Sequence, residues 1–424
     1  MEKYLVAGLE INKVSLKELL FNKTMLFAYL FLALGFFGIY EVFNERYFLL
    51  AADAHDAGLN PGSKEVAEAM KEAIFGVGGE VKREQPWTLY IVNYMYMIYS
   101  GSAIIFFVAL AEIFNIEIIK KTAAGFMTFG LAMVFGGLFT IAVDLNVLHM
   151  QWMFLTPNLG AGMWLMLPLY TIYIPFVIFE IYLLITKNKE WAKKIAFIIL
   201  ILSILIDFVE YYIQAKLFDM NTARHLWTTY PLLTLYFIIS AFVAAIAIMI
   251  LYSMVVYKDR LKDEFEKLID FLRISALYFL ALLAAYEALA YLFIDKKWGA
   301  IILFGQFKLY FYLYLFLAIG LPFILEFKKY KKHHLLVILG SVSMILGTYL
   351  GRYIFVYGGN AYPMSDRFGT GFEKYGEYES VKEFIFFNPH FSEILVVIGS
   401  IGVVLVVYKI IDKLFSVSKI LEHH

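Results

Sequence analysis

The feature that most constrains this chain is a series of apolar runs, each long enough to cross a lipid bilayer. A helix needs about 20 residues to span roughly 30 Å of hydrocarbon. Inside hydrocarbon every backbone polar group needs an internal hydrogen bond, so each such run is expected to be helical. We expect ten spans, at about 24–43, 88–114, 122–143, 160–186, 194–215, 230–257, 271–294, 309–327, 334–357 and 391–415. The predicted fold is an all-α integral membrane protein.

The composition agrees with a membrane protein and excludes several kinds of function. Hydrophobic residues make up 62% and charged residues 17% of the 424 residues, whereas a soluble domain has about 25% charged residues. The net charge of zero gives no reason to expect nucleic-acid binding. The chain has no cysteine, which excludes disulfides, cysteine-ligated zinc and iron–sulfur clusters held by this chain.

The histidines are not arranged as haem ligands. Residues 421–424 have the sequence of a purification-tag remnant and are left aside. The other six histidines fall at span ends or in loops, whereas a membrane haem needs facing pairs inside spans. We therefore expect no haem and no metal in this chain.

Lysine and arginine are distributed unevenly between the two sets of loops, which predicts the orientation. They concentrate in 1–23, 115–121, 187–193, 258–270, 328–333 and the C-terminal tail, segments that lie on one side of a ten-span chain. The loop 144–160, on the other side, contains none. Because cytoplasmic loops are enriched in these residues, we place both termini in the cytoplasm of a cell (cytoplasmic) membrane protein.

The remaining boundaries follow from the spans. Residues 1–23 have apolar positions spaced as in an amphipathic helix, which we expect on the membrane surface. The tripeptide Thr-Leu-Tyr recurs at Thr88 and Thr234, which hints at two related four-helix bundles. We divide the chain into 24–87 (first span and outer loop), 88–217 (first bundle), 218–357 (second bundle) and 358–420 (outer loop and last span).

Short motifs in four places carry a resemblance to a known family. They read Trp87-Thr88…Asn93…Ser100-Gly101-Ser102, Thr156-Pro157-Asn158-Leu159-Gly160…Trp164, Gly351-Arg352-Tyr353…Gly358-Gly359 and Pro389-His390-Phe391-Ser392-Glu393. In this order, over most of residues 80–415, the chain resembles the polysulfide reductase membrane-subunit family, the NrfD-like quinol-interacting subunits, in its ten-span form.

The resemblance implies a subunit with no redox centre of its own. Such a subunit binds a quinone, of the menaquinone or ubiquinone type, near the outer face of its first bundle. It exchanges electrons with an iron–sulfur subunit on the outer face, often with a molybdopterin catalytic subunit beyond, and some members are thought to carry protons. Where family members often have a histidine in the second span, this chain offers Tyr90, Asn93 or Tyr99.

Quinone chemistry needs hydrogen-bonding groups for two oxygens, an apolar slot and a route for protons. Tyr90, Asn93 and Tyr94 lie near the outer end of the second span and are the predicted quinone ligands. Asp144 and His149 leave the third span at the same level, in a stretch rich in polar and aromatic residues, and are the predicted proton exchangers. Alternatively, Asn93 makes a helix-to-helix hydrogen bond, and His149 an interfacial bond to a backbone carbonyl.

Three of the carboxylates inside the predicted spans are candidates for a function in the membrane. Glu112 and Glu180 lie closer to the cytoplasmic ends, where we expect their side chains to reach water. Asp207 and Glu210 lie one turn apart in the fifth span and Glu287 lies deep in the seventh. Ionisable groups inside a membrane are costly and are functional by default, so these three are the predicted proton path. The alternative is structural: an acid hydrogen-bonded to a tyrosine, with Tyr211, Tyr212 and Tyr286 available.

Two functions of different classes follow from these residues. The first is a membrane anchor and quinone/quinol-reactive subunit of a respiratory oxidoreductase complex, with or without proton translocation; a milder form conducts protons and binds no quinone. The second is a secondary transporter that uses the intramembrane carboxylates. It is favoured by Pro168, Pro175 and Pro322, which fall at corresponding places of the fourth and eighth spans, as in the broken helices of transporters. Adjacent iron–sulfur and molybdopterin genes would distinguish the first function from the second.

Overall fold

The described part of the chain contains ten long helices, which we number α1–α10 in chain order. A computed structural model describes residues 3–6, 8–43, 87–144, 155–157, 162–186, 189–219, 227, 232–293, 302–326, 333–361 and 388–420. The loops before α2 and α10 and the segment that contains His149 lie outside these residues. The helices are α1 Lys23–Phe43, α2 Leu89–Ile113, α3 Ala123–Asp144, α4 Gly162–Thr186, α5 Lys189–Asp219, α6 Leu233–Val256, α7 Phe265–Phe293, α8 Lys308–Leu325, α9 His334–Ala361 and α10 Phe391–Phe415.

All ten predicted spans are confirmed, because each of these helices is long and apolar enough to cross a membrane. The prediction of an all-α integral membrane protein is confirmed with them. The largest error is at α7, which begins at Phe265 rather than at 271. Charged residues such as Glu266 and Asp270 occupy its first turns, and apolar periodicity alone does not detect them as helix.

The surface helix expected over residues 1–23 is wrong for the first part of that segment. Residues Lys3–Val6 and Leu9–Asn12 form an antiparallel hairpin, with Gly8 at φ +81° in its turn. Leu16–Leu20 forms a short helix, capped by Ser15. The Asn12 amide donates to the Lys413 carbonyl and the Ser416 hydroxyl, both at 2.8 Å, so the hairpin is fastened to the end of α10. These long-range bonds favour the hairpin over the helix that the local pattern predicts.

Glycine contacts set the distances between the central helices. A Cβ atom on Gly101 of α2 would lie 2.6 Å from the Gly130 carbonyl oxygen of α3, so the two backbones approach as closely as glycine allows. Gly35 of α1 and Gly399 of α10 meet in the same way, at 2.6 Å. Small residues commonly permit such approaches between membrane helices.

The most buried spans, α2 and α6, form the centre of the molecule. In each of these helices, 78% of the most apolar 18-residue stretch is buried inside the protein. Helix α2 packs against α3, α5, α6 and α9, while α6 packs against α2, α7 and α9. Helix α10 lies between α1 and α3. Two neighbouring groups of helices therefore meet along α2 and α6. The predicted boundary between the two bundles, between residues 217 and 218, stays a prediction.

Candidate functional site

A cavity of about 430 Å³ lies among α2, α3, α4 and α5. It is found where α2 and α4 begin and where α3 and α5 end. Its walls are mostly apolar or aromatic and are formed by Trp87, Ile91, Met95, Leu138, Ile141, Ala142, Met166, Leu167, Ile174, Leu217 and Phe218. Five polar side chains also line it: Tyr94, Asp144, Tyr170, Thr171 and Gln214. An apolar cavity of this size with a few converging polar groups is typical of a small-molecule site.

Three of the polar groups form one hydrogen-bonded network with a carboxylate. The Tyr170 hydroxyl donates to Glu210 Oε1 at 2.8 Å, and the Tyr94 and Tyr170 hydroxyl oxygens are 3.1 Å apart. The Gln214 amide donates to the Tyr170 oxygen at 2.7 Å and to Glu210 Oε1 at 3.0 Å. The network therefore extends from the cavity wall at Tyr94 to a buried carboxylate.

The network contains one unused acceptor. Gln214 Oε1 is buried and has no hydrogen-bond partner among the described residues. A buried amide oxygen without a partner costs about 1–3 kcal/mol. A hydroxyl group on a molecule in the cavity would remove that cost.

The periodicity of α5 explains how one helix supplies the polar side of this site. Asp207, Glu210 and Gln214 are spaced i, i+3 and i+7, which places them on one helix face. All three are nearly fully buried. Phe208 and Tyr212, which point elsewhere, are 48% and 55% exposed. Helix α5 thus turns an apolar face outward and a polar stripe toward α2 and α4.

From the cavity, buried polar groups continue toward the opposite end of the bundle, where α4 ends and α5 begins. The Ser102 hydroxyl donates to Glu210 Oε2 at 3.1 Å. Asp207, one turn further, and Glu180, near the far end of α4, are 0% and 3% exposed. The Tyr173 hydroxyl lies beside Asp207, and the Ser203 hydroxyl lies beside Glu180. Asp207 interacts electrostatically with both Glu210 and Glu180, so the three acids form a continuous series.

The predicted quinone ligands of α2 fall on two different faces. Tyr94 lines the cavity, whereas Tyr90 packs against Val42 of α1 and Val396 of α10. The Asn93 amide donates to the Ser400 hydroxyl of α10 at 3.0 Å and to the Thr140 hydroxyl of α3 at 3.4 Å. This is the helix-to-helix alternative that the sequence left open. Residues i and i+3 share a helix face, so Tyr90 and Asn93 turn together toward α10.

The other predicted residues are divided between the cavity, the second group of helices and the loops. Asp144 lines the cavity, and His149 lies outside the described residues. Glu287 of α7 lies in the other helix group, where its Oε1 accepts a 2.6 Å hydrogen bond from the Tyr314 hydroxyl. Of the tyrosines proposed as partners of the acids, Tyr211 instead donates to the Tyr99 carbonyl at 2.9 Å.

Sequence reasoning missed two members of the hydrogen-bonded network at the cavity, Tyr170 and Gln214. Gln214 had a detectable signal, because it is a polar residue four positions after Glu210 in an apolar span. Tyr170 is one of 31 tyrosines and nothing local distinguishes it. Only its distance from Glu210 identifies it.

Comparison with known proteins gives one match. The model of the family described as polysulphide reductase, NrfD, matches residues 80–363. The match includes every residue that lines the cavity, and it ends before α10. A search of curated proteins found no match.

Proposed function

The chain belongs to the polysulphide reductase NrfD family, and from that premise we propose that it is the quinone-reactive membrane anchor of a respiratory oxidoreductase complex. The observation that carries the proposal is the cavity among α2–α5, with its apolar body and its converging Tyr94, Tyr170 and Gln214 side chains.

The residues around the cavity fit a quinone, of the menaquinone or ubiquinone type. A volume of about 430 Å³ holds a quinone ring, and the apolar walls suit the ring and the start of an isoprenoid tail. The Tyr94 hydroxyl, which donates to the Tyr170 oxygen when Tyr170 donates to Glu210, can donate to a quinone carbonyl oxygen in place of that bond. Gln214 Oε1, which has no partner among the described residues, can accept from the hydroxyl of the reduced form. The bound quinone would supply two-electron, two-proton redox chemistry.

The same residues provide a proton acceptor next to the cavity. Tyr170 already donates to Glu210, so a proton that reaches the Tyr170 oxygen from the cavity side can be passed on to the carboxylate. Gln214 holds both groups in place through its bonds to Tyr170 and Glu210. Asp144, at the mouth of the cavity, is the second proton-exchanging group.

The proposed function includes proton conduction through the first bundle. The series Glu210, Asp207 and Glu180 extends from the cavity to the far half of α4. Buried carboxylates are expensive unless paired or functional, and none of these three is in an ion pair within the described residues. Glu287 would be a separate proton-exchanging group of the second bundle, bonded to Tyr314.

The partners follow from what the chain lacks. With no cysteine it holds no iron–sulfur cluster of its own, so electrons must come from or go to another subunit. We place an iron–sulfur subunit on the outer face, with a molybdopterin catalytic subunit beyond it. The cavity supports this face, because it lies at the helix ends opposite the lysine-rich segments. Both termini are then in the cytoplasm and the protein is in the cell membrane.

A binding measurement on the purified chain tests the quinone site. Bound quinone is first quantified by solvent extraction. Quinone-depleted protein is then titrated with menadione and with decylubiquinone while tryptophan fluorescence is followed, since Trp87 lines the cavity. We expect saturable quenching that Gln214→Leu weakens at least tenfold. Thr186→Val is the control, because the Thr186 hydroxyl donates to the Tyr182 carbonyl of its own helix, at 3.0 Å, and does not line the cavity. No bound quinone and no saturable quenching would contradict the site and favour an anchor that only conducts protons.

The transporter alternative has no specific support in the structure. Helix α4 is continuous through Pro168 and Pro175. Helix α8 contains a π-helical stretch, Phe316–Gly320, before Pro322, and is also continuous. Neither helix has the unwound midplane that transporters use to bind substrate and ion.

A further inference from the structure

The cavity among α2–α5 is closed on one side and open on another. The side chains that line it from α2 and α5 include Ile91, Gln214 and Phe218, which are all buried. Ala142 of α3 and Thr171 of α4 line the same cavity, but both are exposed at the surface of the protein. The cavity therefore opens sideways, between α3 and α4.

One stripe of side chains on each helix borders this side of the cavity. The α3 stripe is Leu138, Ile141 and Ala142, and the α4 stripe is Leu167, Thr171 and Ile174. Spacings of i, i+3, i+4 and i+7 place each set on one helix face. The four residues other than Ala142 and Thr171 are half-buried, so each stripe is shared between the cavity and the protein surface. We call the space between the two stripes the α3–α4 opening.

The α3–α4 opening reaches into the part of the helices that crosses hydrocarbon. Leu138 lies about 9 Å along α3 from its end at Asp144, and Ile174 lies about 18 Å along α4 from its start at Gly162. Neither helix contains a lysine or an arginine. Ile172 of α4, which does not line the cavity, is 50% exposed. The opening therefore faces lipid, and a molecule dissolved in the bilayer reaches it directly.

The polar wall of the cavity lies across from this opening. Each of the four helices packs against two of the others, in the order α2, α3, α4, α5 and back to α2. Tyr94 of α2 and Gln214 of α5 are thus on the wall that is opposite α3 and α4. At the opening itself, the Thr171 hydroxyl donates to the Leu167 carbonyl of its own helix, at 2.8 Å. A molecule that bonds to Tyr94 and Gln214 would point its other end toward the opening.

We propose that a quinone enters the cavity from the bilayer through the α3–α4 opening, and that its tail stays between Ala142 and Thr171. The volume of about 430 Å³ holds the ring and the start of a tail, so the rest of a long tail must leave the cavity. An apolar tail is more stable in lipid than in water. The inference rests on the proposed function and adds the class of substrate, a long-tailed quinone dissolved in the bilayer rather than a water-soluble one.

Two quinones that share one ring test the opening. Menadione has no tail, and phylloquinone carries a long phytyl tail on the same ring. Quinone-depleted protein in phosphatidylcholine vesicles is titrated with each of them while tryptophan fluorescence is followed, since Trp87 lines the cavity. Ala142→Phe and Thr171→Phe place a ring in the opening. Ile172→Phe is the matched control, because it adds the same ring to the next position of α4, outside the cavity.

We expect both opening variants to raise the amount of phylloquinone needed for half-maximal quenching at least tenfold. The amount of menadione should change less than twofold, because menadione has no tail to place between α3 and α4. Ile172→Phe should match the wild type with both quinones. Unchanged phylloquinone binding in both opening variants would overturn the proposal. Equal weakening of the two quinones would also overturn it, since the added ring would then have reduced the cavity itself.

A second measurement needs no variant and decides the matter if the opening variants do not fold. Phylloquinone with a diazirine on its tail is bound to the wild type and photolysed, and the labelled peptides are sequenced. Labels on α3 and α4 near Ala142 and Thr171 would support the proposal, and labels confined to other helices would overturn it. A wild type that binds neither quinone would remove the quinone site together with this inference. A wild type that binds both, with opening variants that behave like it, would remove only the opening.

Discussion

The Tyr170 hydroxyl donates a 2.8 Å hydrogen bond to the Glu210 carboxylate, and through this bond the cavity is joined to the buried acids of α5. Tyr170 is on α4 and Glu210 is on α5, so the connection exists only because the two helices pack together. Gln214 reinforces it with bonds to both groups. The predictions below depend on this network or on the packing that supports it.

Glu210→Gln should lower quinol oxidation by the assembled complex about 10²- to 10⁴-fold, the usual contribution of a positioned proton acceptor. The amide retains an acceptor for Tyr170 but cannot take a proton, so quinone binding should change little. Steady-state turnover and fluorescence titration measure the two effects separately. Tyr212→Phe is the control, since that side chain is on the same helix and is 55% exposed. Normal turnover in Glu210→Gln would remove this carboxylate from the proton route.

Asn93→Leu should reduce stability rather than quinone binding. The Asn93 amide bonds Ser400 at 3.0 Å and does not line the cavity, and an interhelical hydrogen bond in a membrane protein contributes about 0.6–2 kcal/mol. Gln214→Leu should weaken quinone binding, because Gln214 lines the cavity. Thermal unfolding in detergent and quinone titration of both variants decide the assignment. Loss of quinone binding in Asn93→Leu at unchanged thermal stability would return Asn93 to the site.

Asp207→Asn and Glu180→Gln should slow proton movement without weakening quinone binding. Both carboxylates are buried and neither lines the cavity. Complex reconstituted in liposomes with a pH-sensitive dye inside reports proton movement during turnover. Asp144→Asn, at the cavity mouth, serves for comparison, because it should affect exchange with the outer water only. Equal proton movement in wild type and Asp207→Asn would argue against a path through the first bundle.

Gly101→Ala should destabilise the fold by about 1–3 kcal/mol, the typical cost of overpacking. The added Cβ would lie 2.6 Å from the Gly130 carbonyl oxygen, so α2 and α3 would have to separate. Gly320→Ala is the matched control, since the nearest atom to its Cβ is 3.7 Å away. The melting temperatures of the two variants in the same detergent test this. Similar melting temperatures would show that the helices can adjust at no cost.

The sequence by itself determined the number and approximate position of the spans, because the length of an apolar run needed to cross a bilayer is a local property. It also identified Asp207 and Glu210, since a carboxylate stands out in an apolar segment. The expectation that Glu180 reaches water is wrong, because its side chain is buried between helices. The family could be recognised from short motifs, and the matched residues 80–363 confirm it.

Only the tertiary structure decided how each helix is rotated about its axis. Adjacent residues on a helix differ by about 100°, so Asn93 and Tyr94 face different helices although both are polar residues near the same span end. Contacts distant in sequence set that rotation, among them Gly101 with Gly130 and Gly137 with Ile98. The partner of Glu210 was decided in the same way, because Tyr170 is 40 residues away along the chain. The hairpin at residues 3–12 likewise depends on Asn12 reaching the end of α10. A pattern of apolar residues shows where a helix is, but close packing between helices selects which of its side chains meet.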